Sequence, residues 1–254
     1  MFTLNSIESL HFLESLFFPF FRILAFISVA PVFGETIVNS RIKIVLSFLI
    51  SFLIFPFIPK MEDDNLSFFS AIIVLIEQIL LGYIFGFVIK MAFSSLEMAG
   101  EIISSQMGLS FSNFFDIRNK NSISLISHYL KLLTYFLFLE FNGHLAIIFI
   151  ICNSFYDFPV SNVLYIKPYF FSVLVNYSTV VFLNAIRFSF PVFLTLLVLN
   201  VILAILNRIS PQISIFSVGF PITLFAGMFL IYTLVPISIL FFKRLFLETY
   251  GYFT

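Results

Sequence analysis

The sequence predicts an all-α integral membrane protein, and three observations lead to this fold class. The chain has 254 residues, of which 61% are hydrophobic and 10% are charged. A soluble domain is about 45–50% apolar and about 25% charged, so this chain has too few polar side chains to cover a water-facing surface. The apolar residues form long runs without the period-2 alternation of membrane β-barrel strands. A bilayer or a large protein assembly therefore acts as the solvent.

The chain contains about six hydrophobic stretches, and most of the charged residues fall in the connections between them. A membrane-spanning helix needs about 20 residues, and several of the stretches are longer than that. We therefore predict that they form bent helical hairpins. The six stretches are residues 12–33, 42–59, 68–93, 123–155, 168–206 and 213–242.

Two of the stretches are predicted to break. As one helix, residues 168–206 would extend about 58 Å, nearly twice the hydrocarbon thickness of a bilayer. We place this break at Ser189-Phe190-Pro191, because a proline inside a helix removes a backbone hydrogen bond. Within residues 123–155, the Asn-Gly pair of Phe141-Asn142-Gly143-His144 predicts a second break.

The charge balance excludes some partners and leaves the membrane orientation open. Lys and Arg number 13, and Asp and Glu also number 13, so the chain offers no basic surface for nucleic acid. The Lys and Arg residues of the connections are almost equally divided between the two sides of the membrane, so the positive-inside rule predicts no orientation. The single cysteine, Cys152, forms no intramolecular disulfide and founds no zinc site by itself.

Several charged residues lie inside the apolar stretches. A charge at the centre of a membrane helix costs about 2.5–3.5 kcal/mol on the insertion scale, so each needs a partner or a wet cavity. Two interpretations remain open, which are structural pairing with neighbouring helices and a role in a pore or ion pathway. These residues are Arg22, Glu77, Lys90, Lys131, Glu140 and Arg187.

The longest polar connection, residues 94–122, predicts an amphipathic helix followed by a loop. Its polar positions from Glu97 onward have helical spacing, and the helix is expected to end near Gly108. The following loop carries Phe111, Phe114 and Phe115. Aromatic residues at this density predict a loop that packs on protein or lines an occluded passage.

Two further patterns predict close helix packing. Gly82 and Gly86 form a GxxxG motif, and small residues four apart allow another helix backbone to approach closely. The segment LNRISPQ, residues 206–212, predicts the turn of a helical hairpin with arms 192–207 and 212–242. The second arm carries Gly219, Pro221 and Gly227, which favour packing or a kink.

Residue sets typical of catalysis are not recognisable in the sequence. The three histidines are scattered, and HExxH, GxSxG, GxGxxG and P-loop motifs do not occur. We therefore predict that the protein is not an enzyme and that it has no cofactor and no metal site.

Three segments together resemble the family shared by the flagellar export protein FliR and its injectisome counterpart SctT. The resemblance covers essentially the whole chain, and the residues of the QMGLSF and NRISPQ motifs favour the flagellar branch. Arg22, followed by APVF at residues 30–33, fits as well. The three segments are residues 99–111 (AGEIISSQMGLSF), 141–144 (FNGH) and 206–212 (LNRISPQ), the last continuing to Gly219-Phe220-Pro221.

The resemblance implies a fold and a set of partners. Residues 1–177 are expected to form a FliP-like helical part that is fused to a FliQ-like hairpin, residues 178–254. One copy of the chain is expected to assemble with FliP-like and FliQ-like subunits in the bacterial inner membrane, at the flagellar basal body. The resemblance also implies FlhA-like and FlhB-like export components as partners, and unfolded rod, hook and filament proteins as the cargo of the pore.

The resemblance also implies site residues. In this family the loop after the QMG motif contributes to the plug that closes the central pore, and bulky apolar groups suit that role. Carried over to this chain, the candidate gate residues are Met107, Gly108, Phe111, Phe114 and Phe115. The candidate residues for assembly at the hairpin turn are Asn207, Arg208, Pro211, Gln212, Gly219 and Pro221.

Other functions remain as alternatives. An injectisome-type, SctT-like export component is the nearest of them. A stand-alone secondary transporter would show inverted repeats and midplane charges, and Arg187 near Pro191 is the only feature that suits it. An intramembrane enzyme lacks a visible catalytic set, whereas a scaffold without contact to cargo is compatible with the sequence.

Overall fold

The computed structural model describes residues 2–35, 38–58, 68–109, 124–160, 168–210 and 218–251. Within these residues every regular element is a helix, which confirms the predicted fold class. The helices are α1 (Phe2–Val29), α2 (Ser40–Ile54) with a following 3₁₀ turn (Phe55–Phe57), α3 (Phe68–Gln106), α4 (Leu125–Glu140), α5 (Gly143–Asp157), α6 (Pro168–Ile209) and α7 (Phe220–Gly251).

Four helical segments are long and apolar enough to cross a membrane, and α4 with α5 would add a fifth as one broken span. Among the described residues these segments are Ser40–Phe57, Phe69–Gln106, Leu174–Ile209 and Phe220–Glu248. Many large apolar side chains on these segments and on α4 are exposed, including Phe225 on α7 and Phe136 on α4. An apolar surface of this extent needs lipid or partner subunits against it. The chain is therefore an α-helical membrane protein.

The helix ends follow from local sequence. α1 stops at Val29 because Pro31 disfavours helical geometry at the residue before it. α2 begins after Asn39, whose side chain accepts a hydrogen bond from the backbone N–H of Arg41. α4 begins after Ser124, whose hydroxyl accepts from the N–H of Ser127. These side chains satisfy backbone donors that a helix start leaves open.

The break predicted at FNGH is confirmed, since α4 ends at Glu140 and α5 begins at Gly143. Asn142 lies between them with φ 53°, a left-handed conformation that asparagine tolerates better than most residues. The polar turn therefore separates two short helices within one apolar stretch.

The break predicted at Ser189-Phe190-Pro191 is wrong. α6 continues through Pro191 as one helix of 42 residues. Proline frees the carbonyl four residues before it, here that of Arg187, and membrane helices tolerate this through local adjustment of the backbone. Since α6 is longer than a hydrocarbon layer of about 30 Å, part of it lies outside that layer.

Two helices differ in extent from the predicted stretches. α3 joins the apolar stretch 68–93 and the following amphipathic segment into one helix of 39 residues. α7 begins at Phe220 among the described residues and extends to Gly251, whereas the predicted hairpin arm covered 212–242. Pro221 lies in the first turn of α7, where its missing N–H costs no helical hydrogen bond.

The chain divides into two compact units. Unit 1 comprises the described parts of Met1–Met91, Asn142–Tyr177 and Thr249–Thr254, and unit 2 those of Ala92–Phe141 and Ser178–Glu248. Both α3 and α6 contribute to both units. The division into a FliP-like part and a FliQ-like hairpin stays a prediction.

The core of unit 1 is formed where α1, α3 and α5 meet. Ile23, Phe26, Leu81 and Phe155 are almost completely buried there. On α2, the hydroxyl of Ser51 donates to a carbonyl of α1. The apolar core therefore surrounds the one arginine of α1, which is described below.

The core of unit 2 is a cluster of aromatic rings contributed by α3, α4 and α7. The ring of Phe93 lies 5.3 Å from that of Phe138 and 5.8 Å from that of Phe242, both edge to face. Phe246 adds a fourth ring at 6.1 Å from Phe138. Such pairs contribute about 0.5–1.5 kcal/mol each beyond their burial, so several of the forty phenylalanines serve the core.

Candidate functional site

Arg22 is the most completely enclosed of the charged residues predicted inside apolar stretches, with 1% of its side chain exposed. Its Nε donates to Gln78 Oε1 at 2.7 Å. Its Nη1 donates to the carbonyl oxygen of Ser154 at 2.8 Å, and its Nη2 to that of Phe158 at 2.7 Å. The guanidinium carbon lies 4.2 Å from the ring centroid of Phe155. The planar fork of arginine therefore joins α1, α3 and α5 inside unit 1.

The acceptors of Arg22 on α5 are the last carbonyls of that helix. α5 ends at Asp157, and the carbonyls of Ser154 and Phe158 belong to its final turn and C-cap. The carbonyl oxygen of Ser154 also accepts from the backbone N–H of the C-cap residue Phe158, at 3.1 Å. The negative end of the helix dipole favours a cation at this end of α5. Glu77, 2% exposed, also attracts the guanidinium. These contacts favour the pairing interpretation for Arg22.

The GxxxG motif brings α3 against the backbone of α1. A Cβ atom on Gly82 would collide with the carbonyl oxygen of Arg22, and one on Gly86 would lie 2.8 Å from the carbonyl oxygen of Phe26. The predicted close contact is therefore confirmed. Because the contact is to backbone, it fixes the position of Arg22 along the helix axis relative to Gln78.

The other charged residues predicted inside spans have different surroundings. Lys131 lies 3.9 Å from Glu97 and 5.9 Å from the ring of Tyr135 in unit 2. Lys90, Glu140 and Arg187 are exposed on their helices. The structure thus assigns a buried structural network to Arg22 and Glu77 and places the exposed charges outside it.

The C-terminal end of α3 carries the first two candidate gate residues. The N–H of Gly108 donates to Ser105 O at 3.3 Å, and the N–H of Leu109 donates to Ser104 O at 3.1 Å. Gly108 has φ 79°, and this pair of bonds with a left-handed glycine is the Schellman helix end. The predicted helix end near Gly108 is confirmed. Phe111, Phe114 and Phe115 lie outside the described residues.

Met107 is held by α7 and has no exposed surface. A Cβ atom on Gly227 would lie 2.6 Å from Cγ, Sδ and Cε of Met107, so the methionine fills the space that this glycine leaves. Thr223, one turn earlier on α7, donates from its hydroxyl to the carbonyl oxygen of Met107 at 3.4 Å. On α6, Asn200 Nδ2 donates to the carbonyl oxygen of Gln106 at 3.2 Å.

The start of α4 is also attached to α3 within unit 2. The N–H of Ser124 donates to Glu101 Oε1 at 2.8 Å, and the hydroxyl of Ser127 donates to Glu97 O at 2.6 Å. A Cβ atom on Gly100 would lie 2.5 Å from Ser127 Cα. Both ends of the segment that contains the candidate plug are therefore fixed near the last turns of α3.

The residues predicted at the hairpin turn are only partly described. Asn207 is half-buried and Arg208 is exposed in the last turn of α6, where a positive charge interacts favourably with the helix dipole. Gly219 is buried just before α7, and Pro221 is exposed in its first turn. Pro211 and Gln212 lie outside the described residues.

Sequence reasoning missed the uncharged partners at both places. Gln78 and Ser154 bind Arg22, while Asn200 and Thr223 bind the end of α3. All four are polar residues inside long apolar stretches. The rule that a buried polar group needs a partner applies to amides and hydroxyls as well as to charges, and it would have singled them out.

Comparison with known proteins assigns the chain to a family. The model of bacterial export proteins, family 1, matches residues 13–249. The flagellar biosynthetic protein FliR of Buchnera aphidicola subsp. Acyrthosiphon pisum is 39% identical over 245 residues, which is 96% of this chain and 94% of that relative. This chain belongs to the FliR family of bacterial export proteins.

Other FliR proteins match the chain over a similar length. That of Buchnera aphidicola subsp. Schizaphis graminum is 42% identical over 247 residues, covering 96% of this chain and 94% of the relative. That of Escherichia coli K12 is 37% identical over 251 residues, covering 99% and 95%. The predicted family is confirmed, and the FliR family places the chain in flagellar biosynthesis and protein transport.

Proposed function

We propose that this FliR-family chain is a pore subunit of the flagellar type III export gate, and that unfolded rod, hook and filament proteins cross the bacterial inner membrane through that gate. The observation that carries the proposal is the family match over residues 13–249. The long apolar helices suit a bilayer, and their exposed apolar faces suit lipid or apolar partner subunits. The role is non-enzymatic, and partner proteins or the proton motive force supply the energy.

The proposed partners are FliP-like and FliQ-like subunits, in a hetero-oligomer that holds one copy of this chain at the flagellar basal body. FlhA-like and FlhB-like components act beside it. Exposed apolar side chains on α6 and α7, such as Ile205, Phe229 and Tyr232, offer surface for such neighbours. The hairpin-turn residues, among them Arg208 and Pro211, would serve assembly more than conduction.

Phe111, Phe114 and Phe115 are the proposed plug, and Met107 and Gly108 form its base. The complete burial of Met107 supports a division of roles between these residues. A side chain enclosed by α7 holds the loop in place, whereas the bulky rings farther along the loop would block ions.

The plug proposal is tested by ion leak. The complex with its FliP-like and FliQ-like partners would be reconstituted in lipid vesicles as the wild type and as the paired variant Phe111→Ala/Phe114→Ala. We expect the paired variant to leak ions several-fold faster. Phe136→Ala/Phe225→Ala removes two exposed rings instead and is the matched control. Equal leak from all three complexes would remove the plug assignment.

The transport role is tested by secretion. Cells that lack their own FliR-family protein would receive this chain together with FliP-like and FliQ-like partners from the same genome. We expect hook and filament proteins to appear in the medium. Assembled complexes without secretion would contradict the export role.

A further inference from the structure

We infer that Asn200, Thr223 and Gly227 are positioning residues that hold the C-terminal end of α3, and that this attachment keeps the export gate closed. The inference rests on the proposed function, because it concerns the base of the proposed plug. It extends that proposal to the faces of α6 and α7 around these residues. In the sequence analysis these helices were expected to serve only packing and assembly.

The polar half of the attachment is a complete set of hydrogen bonds. The last carbonyl groups of a helix have no intrahelical donor. At the end of α3, Ser104 O and Ser105 O accept from the backbone N–H groups of Leu109 and Gly108. The two that follow face donors from other helices, since Gln106 O accepts from Asn200 and Met107 O from Thr223. The single hydroxyl proton of Thr223 is shared between Met107 O at 3.4 Å and Phe220 O of its own helix at 3.0 Å. Four consecutive carbonyls are thus satisfied, two of them by α6 and α7.

The apolar half of the attachment is a side chain set against a glycine. Gly227 lies four residues after Thr223, so both lie on the same face of α7. Met107 occupies the space beside Gly227, and even one methyl group there would force the methionine to move. Met107 is therefore held at its carbonyl by Thr223 and at its side chain by Gly227.

The attachment makes the start of the loop depend on α6 and α7. A shift of the α3 end would remove the donors from Asn200 and Thr223 to the carbonyls of Gln106 and Met107 and would withdraw Met107 from its site. A merely structural role predicts that its loss reduces the amount of assembled complex. A positioning role predicts in addition that the complexes which do assemble leak ions.

The polar half is tested with a matched pair on one helix. Thr223→Val removes the hydroxyl that binds Met107 O. Thr233→Val makes the same change at an exposed position, where the hydroxyl donates to Leu230 O of its own helix, as that of Thr223 does to Phe220 O. We expect several-fold more ion leak per assembled complex from Thr223→Val, and wild-type leak from Thr233→Val. Native mass measurement gives the amount of complex in each sample.

The apolar half is tested by enlarging the side chain at position 227 and shortening the side chain at position 107. Gly227→Ala adds a methyl group against Met107, and Met107→Ala removes the three atoms that it would meet. We expect each single variant to leak and the double variant Met107→Ala/Gly227→Ala to leak less than either. Should Thr223→Val yield no complex, Asn200→Leu removes the other donor and is expected to leak as well.

The outcomes separate this inference from the proposed function. If Phe111→Ala/Phe114→Ala leaks while the Thr223, Asn200 and Gly227 variants match the wild type, the positioning role is overturned and the plug stands. If none of them leaks, the plug proposal fails first. If Thr233→Val leaks as much as Thr223→Val, the positioning role is also overturned. The same holds if the leak of Met107→Ala/Gly227→Ala equals the sum of the leaks of the two single variants.

Discussion

Arg22 closes the C-terminal end of α5, because its Nη2 donates a 2.7 Å hydrogen bond to the carbonyl oxygen of Phe158, 136 residues away. The same guanidinium binds the carbonyl of Ser154 one turn earlier and the side chain of Gln78 on α3. A charge that would be costly in lipid is thereby enclosed and hydrogen-bonded within unit 1. The guanidinium therefore joins α1, α3 and α5, as the pairing interpretation predicts.

Replacement of Arg22 should strongly destabilise the protein. Arg22→Met removes the guanidinium donors to the carbonyls of Ser154 and Phe158 and leaves Glu77 without its attraction to the guanidinium. Breaking a buried charge network in this way costs about 3–5 kcal/mol. Arg22→Lys keeps the charge but not the planar fork, so we expect an intermediate loss. Thermal unfolding in detergent measures both variants.

Arg187→Met provides the control for this series. It makes the same substitution at an exposed position of α6, where surface changes are usually within about 0.5 kcal/mol. Equal melting temperatures for Arg22→Met and Arg187→Met would show that the Arg22 network does not stabilise the fold.

Gly82→Ala should separate α1 from α3. The added Cβ atom would collide with the backbone carbonyl of Arg22, which cannot rotate away as a side chain would. Overpacking usually costs about 1–3 kcal/mol, and here it also strains the bond between Arg22 and Gln78. Leu80→Ala, at an exposed position of the same helix, changes more atoms and should have little effect. A wild-type melting temperature for Gly82→Ala would refute the close contact.

The stability of variants at position 108 should depend on how well each residue adopts a positive φ. The φ of 79° at Gly108 is unfavourable for alanine by about 1–2 kcal/mol, whereas asparagine visits this region more readily. A side chain there also meets the ring of Phe220 at 3.4 Å. We therefore expect Gly108→Ala to be less stable than Gly108→Asn, although asparagine is larger. The reverse order in thermal unfolding would mean that space, not φ, limits this position.

The sequence predicted those features that depend on local residue type. Hydropathy identified the helices, the Asn-Gly pair at 142–143 identified the turn between α4 and α5, and Gly108 identified the end of α3. Each of these has a cause within a few residues. Local patterns do not show that the chain works within an assembly. That expectation came from the resemblance to the export family.

Features that depend on distant partners were not predictable from local sequence. Pro191 was expected to break α6, yet the helix continues through it. The partners of Arg22 lie 56 and 132 residues away, and no spacing rule connects them. The attachment of Met107 to Thr223 and Gly227 likewise joins helices more than 100 residues apart. Polar residues inside apolar stretches were the available signal.

Measurement of the native mass would show whether the chain is one subunit of an export gate. The tagged chain would be co-expressed with its FliP-like and FliQ-like neighbours, solubilised in detergent and measured intact. We expect a defined large complex that contains one copy of this chain. A lone monomer or a homodimer, with the neighbours present but unbound, would contradict it and would favour a stand-alone transporter.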